Sequence, residues 1–214
     1  MNRLTLTRRT LVGAALAAPV TAMAVPPQRL SVEDRAMADR AAVYLEGLSE
    51  ARARFVQTDP RGAVSQGDLY LKRPGRARFA YDAPAGLLVV SDGGVVSIQN
   101  SRLKTFESYP LMATPLSLFL AKHIRLDRGV VVTRVTRTLE GFAVTARDGR
   151  KEAEGEITLS FADGPLRLTG WSVSDAQGQS TRVRITGLQA TSGLSPSLFV
   201  LKDPRPKAPG RGKM

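Results

Sequence analysis

From Glu50 onward the chain changes rhythm: apolar and polar residues alternate in short runs, and each run stops at a turn signal. A period of two places successive side chains on opposite faces of a strand, so such runs bury one face and wet the other. The runs fall near 51–58, 66–73, 76–82, 87–91, 95–100 and 104–109, then near 130–137, 141–147, 155–162, 165–174 and 179–188. Asp59-Pro60-Arg61-Gly62, Pro74-Gly75, Pro84-Ala85-Gly86, Asp92-Gly93-Gly94 and Asn100-Ser101 separate the first group, and Asp148-Gly149, Asp163-Gly164 and Gln177-Gly178 punctuate the second. Connections this short join antiparallel neighbours and give a meander. A sheet of about eleven strands must curl or pack against something. The expected fold is mainly β with α: one incomplete antiparallel β-barrel closed by helices on its concave side.

Two helices are available for that. Ser31-Val32-Glu33-Asp34 is an S-x-x-D start, Met37, Ala41, Tyr44, Leu45 and Leu48 recur at helical spacing, and Gly47 marks the end. After the break at Pro110, Thr114 is expected to cap a short helix with Pro115 at its first position, and Leu116, Phe119 and Leu120 share a face. Inward candidates on the strands are Phe55, Leu69, Leu71, Ala77, Phe79, Tyr81, Val89, Ile157, Leu159 and Trp171. Period alone does not say whether these rows fill a solid core or line a hollow. Leu198-Phe199-Val200-Leu201 reads as a last apolar clip.

One strand ends oddly. In Gly67-Asp68-Leu69-Tyr70-Leu71-Lys72-Arg73-Pro74-Gly75-Arg76, alternation puts Arg73 in the row of Leu69 and Leu71, directly before a Pro-Gly turn. A cation ending an apolar row either snorkels to water or has a partner. The second reading makes Arg73 a latch at the rim of an apolar cavity.

Composition removes many chemistries. With no cysteine there is no disulfide, thiol nucleophile or thiolate metal site, and the single His123 leaves little for an imidazole metal centre or a His-based triad. Ser117, Ser172 and Ser197 lack a G-x-S-x-G elbow, and Asp68, Asp92 and Asp148 fall at strand edges or turns. The expectation is no enzyme, no catalytic residue, no metal and no cofactor. Formal net charge is +12, of which Arg3, Arg8 and Arg9 contribute three, so +9 remains beyond residue 24. Such a balance favours acidic partners. The cations are scattered along strands with few interleaved aromatics, so nucleic acid is not expected.

The ends read as export signal and tail. Thr7-Arg8-Arg9-Thr10 precedes an apolar segment from Leu11 to Ala18, then Ala22-Met23-Ala24 is a small-x-small cleavage site. The segment is too short to span a membrane. Residues 1–24 are therefore expected to be a signal peptide, by the twin-arginine or the Sec route, and the mature protein to begin at Val25 in the periplasm. Residues 25–201 would form the folded domain, and residues 202–214 a basic, proline-rich tail, predicted to be disordered.

In order, Phe55-Val56-Gln57, Gly67-Asp68-Leu69-Tyr70-Leu71-Lys72-Arg73-Pro74, Tyr81-Asp82-Ala83-Pro84, Val90-Ser91-Asp92-Gly93 and Thr114-Pro115-Leu116 resemble the periplasmic outer-membrane lipoprotein carrier family, LolA. The resemblance covers roughly residues 36–125; the later half matches in strand rhythm, with Leu198-Phe199 similar to the family's closing segment. It implies an incomplete eleven-stranded barrel with a helical lid over an apolar, lipid-binding cavity lined by Phe55, Leu69, Leu71, Phe79, Tyr81, Val89, Leu116 and Phe119. It also implies that Arg73 hydrogen-bonds lid backbone in the closed, empty form, and that Pro115 to Ala121 is the lid. The implied partners are acylated lipoproteins, an inner-membrane lipoprotein-releasing transporter and an outer-membrane receptor of the LolB type, with the carrier a monomer. Ala77 and Ser117 depart from the bulkier residues of the enterobacterial member. Those departures leave open a carrier or sensor of another lipid or glycolipid, and the occurrence of relatives of this fold among envelope-stress regulators leaves open a regulatory binding module.

Overall fold

The computed structural model describes residues 30–122, 129–149 and 155–205. The first run of strands is β1 (Glu50–Thr58), β2 (Val64–Lys72), β3 (Arg76–Tyr81), β4 (Leu87–Asp92), β5 (Val95–Asn100) and β6 (Thr105–Pro110). The second is β7 (Val130–Arg137), β8 (Gly141–Asp148), β9 (Glu156–Asp163), β10 (Leu166–Ser174) and β11 (Ser180–Ala190). Helix α1 (Val32–Gly47) precedes them, and α2 (Leu116–Leu120) lies between the two runs. The expected export signal, His123 and the tail beyond Arg205 fall outside the described residues.

All eleven strands form one antiparallel sheet in the order β6-β5-β4-β3-β2-β1-β11-β10-β9-β8-β7. Pairing of β1 with β11 joins the two meanders and leaves β6 and β7 as the edges of an open barrel. Consecutive in sequence but at opposite edges, they are linked by the segment that carries α2. The edge strands depart from the simple alternation: β6 is almost wholly exposed and β7 buries little, because each has a neighbour on one side only.

The inner face holds the core. Register sets Ala53 opposite Leu69, Leu69 opposite Phe79 and Phe79 opposite Val89. In the second run Phe142 faces Phe161, and Val144, Leu159, Trp171 and Val183 follow one another across β8 to β11. Phe55 meets Phe79 and Tyr81 edge-on at 5.5 and 5.0 Å between ring centres, and Phe79 meets Trp171 at 5.9 Å.

Helix α1 begins as its sequence requires, with Ser31 Oγ accepting from the Asp34 N–H at 3.0 Å. It buries Ala38, Ala41 and Leu45, and Tyr44 meets Phe161 edge-on at 5.9 Å. Ion pairs from Arg40 to Asp163 and from Arg137 to Glu33 fasten it over the second run. No helix among the described residues is long and apolar enough to cross a membrane.

On the outer face a strap follows β11. Lys72 Nζ bridges Glu50 Oε1 at 2.7 Å and the Leu194 carbonyl at 2.9 Å, while the Leu194 N–H donates to Glu50 Oε2 at 2.8 Å. These contacts hold the Glu50 carboxyl below its ordinary range, Lys72 first. Arg78 Nη1 then donates to the Leu198 carbonyl at 3.0 Å, and a 3-10 turn at Pro196–Phe199 packs on β3 and β4. Phe199 is buried there, as the expected clip requires, and so is the outward-facing Val90.

Candidate functional site: a latched lid over the inner face

The lid starts at a single 3-10 turn, Leu111–Ala113, which buries Leu111. Thr114 does not cap α2 as expected. Its hydroxyl donates back to the Leu111 carbonyl at 2.8 Å, closing the preceding turn, and Pro115 holds the N-cap position with no side-chain bond. Pro115 supplies helical φ without needing a donor, which suffices for a helix of 5 residues.

From α2, Phe119 and Leu120 are buried and Leu116 and Leu118 partly so. Phe119 stacks on Trp171 with ring centres 5.5 Å apart, joining the lid to the aromatic row on the floor. The expected lining residues converge: Phe55, Leu69, Leu71, Phe79 and Phe119 are buried in one cluster, against which Tyr81, Val89 and Leu116 pack. Ala77 and Ser117 are buried as well, so small residues stand at both positions that resemble bulkier ones.

Arg73 reaches the lid. It lies one residue beyond β2, with its N–H donating to the Ser49 carbonyl at 2.8 Å. Its Nη2 donates to the carbonyl of Ala121, the residue that ends α2, at 2.5 Å. Its Nε is buried and has no partner among the described residues. Burial pushes this guanidinium below its ordinary pKa, and the Glu46 carboxylate acts in the opposite direction. An arginine remains charged under such a load, so the bond to Ala121 is charge-assisted.

A second tie was not legible beforehand. The Gly75 N–H donates to the Leu120 carbonyl at 2.8 Å, and the Ser91 hydroxyl donates to the Gly75 carbonyl at 2.6 Å. Gly75 takes φ +76°, and a Cβ there would stand 2.7 Å from the Gly93 Cα. Only glycine lets the hairpin pass between lid and β4. The Pro74-Gly75 pair announced a turn, but nothing in it announced a donor to the lid.

The floor is nearly filled. Beneath α1, an apolar void of about 30 Å³ lies between Ala38, Ala41, Leu118, Val144 and Ala146. That is room for a water or two, not for an acyl chain. Sequence reading missed Ala38 and Ala146 here, because alanine carries little periodic signal, and Leu118, because it stands off the face shared by Leu116, Phe119 and Leu120.

The family described as outer membrane lipoprotein carrier protein LolA matches residues 46–202. The chain belongs to the LolA family. An outer-membrane lipoprotein carrier protein of Chromohalobacter salexigens is 27% identical to this LolA-family chain over 203 residues, covering 90% of it and 91% of the relative. The carrier protein of Pseudomonas syringae pv. tomato is 28% identical over 186 residues, covering 75% and 81%. A LolA-superfamily structure from Nitrosomonas europaea superposes with a TM-score of 0.44 at 9% identity, covering 77% of this chain and 98% of that one.

Proposed function

We propose that this LolA-family chain is a periplasmic carrier that shelters the acyl chains of lipoproteins between the inner face of the sheet and the lid, ferrying them from the inner to the outer membrane. The observation that carries this reading is the Arg73 to Ala121 bond, a charged contact holding a short apolar helix over an apolar floor. Each acyl CH₂ sheltered from water is worth about 0.8 kcal/mol, so a multiply acylated protein needs an escort across water. A carrier must also release its cargo, which favours a closed state with a few breakable ties over a deep permanent pocket.

The small void sets the order of events. Cargo enters by displacing α2, which lifts Phe119 from Trp171 and breaks the Arg73 and Gly75 ties. Each neutral tie is worth about 1 kcal/mol net and a charged one about 1.5–3 kcal/mol. Reforming them helps drive the acyl chains out when an acceptor is present. The chain binds and releases without making or breaking a covalent bond. Its partners in this reading are acylated lipoproteins, an inner-membrane releasing transporter and an outer-membrane receptor, and it acts as a monomer.

The test is transfer of a purified lipoprotein from the carrier to outer membranes. Arg73→Leu removes the charged tie and adds apolar surface at the rim. The variant is expected to load acylated cargo at least as well as the parent and to deliver it poorly. Delivery at the parental rate would show that the tie to Ala121 has no part in release.

A further inference from the structure

The outer face of the second meander carries a feature that lipid carriage does not use. A trough of about 330 Å³ runs across β8 to β11 on the side away from the core. Its floor follows from register: Ala143 lies opposite Ser160, Ser160 opposite Gly170, and Gly170 opposite Arg184, while Ser172 lies opposite Arg182. Small residues thus occupy the middle strands and two arginines rise as a wall on β11.

Arg182 and Arg184 are exposed and carry no ion pair or side-chain hydrogen bond among the described residues. On β1, next to β11, Arg54 is held by both Asp68 and Asp82. The far end of the trough is closed by Thr138 and Glu140, and between them Leu139 stands wholly clear of the protein at 107% exposure. The outer face of β3 and β4 is covered by the strap, whereas no element among the described residues covers this one.

We propose that this trough is a second docking site, which takes an acidic, extended segment of a protein partner. The segment's carboxylates pair with Arg182 and Arg184, and an apolar residue at its other end meets Leu139. Glu140 repels acid at that end and so fixes the direction of the segment. Charge complementarity supports a peptide, and the recess favours it over a bilayer: a flat lipid surface touches protrusions, while the floor of small residues is reached by a narrow chain. Because the trough faces away from the core, occupancy does not compete with cargo, and the proposal stands apart from the carrier reading.

The probe is a rhodamine-labelled peptide, Leu-Gly-Asp-Glu-Asp, titrated with the full chain at physiological salt and followed by fluorescence anisotropy. Saturable binding is expected, weakened about tenfold or more by Arg184→Glu. Ser160→Tyr fills the trough without changing charge and is expected to weaken binding as much. Lys104→Glu makes the same charge change at the β5–β6 turn, where the sheet order puts it five to six strands from β11, and is expected to shift affinity by less than about twofold, since distant charges are screened. Equal losses from Arg184→Glu and Lys104→Glu, or full binding by Ser160→Tyr, would overturn the proposal. So would absence of saturable binding. Arg184-dependent retention of phosphatidylglycerol vesicles without peptide binding would make the face a membrane contact instead.

Discussion

Phe55 and Phe119 are both buried phenylalanines in one core cluster, yet they are held in different ways. Phe55 lies mid-strand in β1, which pairs with β2 on one side and β11 on the other over most of its 9 residues. Phe119 belongs to a 5-residue helix with no side-chain cap, fastened to the sheet by the Arg73 and Gly75 ties. Removing Phe55 from the core means unfolding strands, whereas removing Phe119 means lifting a helix. Equal burial is therefore expected to hide unequal local stability, with the looser partner the one that has few backbone bonds to its surroundings.

The largest effect should separate the two. Phe55→Ala leaves a cavity that paired strands cannot collapse and is expected to lower unfolding free energy by about 3–5 kcal/mol in a urea titration. Phe119→Ala is expected to fall short of about 3 kcal/mol, because its loss is capped by the free energy that docks the lid. Equal losses would mean that lid and barrel unfold as one unit, which would break the distinction.

A smaller effect should appear in the lid alone. Arg73→Gln keeps a donor but removes the charge from the tie to Ala121. Amide exchange in residues 116–121 is expected to quicken about tenfold, the equivalent of about 1.4 kcal/mol, with β1 and β2 unchanged. Exchange that quickens equally in β1 would show Arg73 supporting the sheet through its Ser49 contact instead.

How far these regions could be read from sequence follows the same division. Strands announce themselves through alternation and turn residues, so the meanders, the inner row around Leu69 and Phe79, and the Ser31 helix start were all legible. Arg73 was legible as an anomaly, a cation in an apolar row, whose spacing alone fits a snorkelling strand end as well as a latch and favours the former. What alternation does not encode is long-range register. Nothing in Gly75 or Ser91 says that a hairpin will meet Leu120, and nothing in Thr114 says that its hydroxyl will turn back to Leu111. The outer trough was equally silent, since Ala143, Ser160 and Gly170 become a floor only once three strands are aligned.

The smallest effect belongs to the floor. Tyr81 packs edge-on to Phe55 and its hydroxyl donates to Gln57 Oε1 at 2.8 Å. Burial pushes the phenol up to about 12. A raised acid pKa means that the folded state prefers the neutral phenol. The contribution is therefore fully present below about 10, where both folded and unfolded phenols are neutral, and is lost as pH rises through about 12. At neutral pH, Tyr81→Phe is expected to lose about 1 kcal/mol, the net worth of one hydrogen bond. Between about pH 10 and 12 the parent should lose stability faster than the variant, so the gap between them narrows. Phenolate absorbance checks the cause: subtracting the variant's titration from the parent's isolates one tyrosine, with a midpoint expected at about 12. A difference curve centred near 10 would place Tyr81 in water, and the floor beneath the lid would then be open rather than packed.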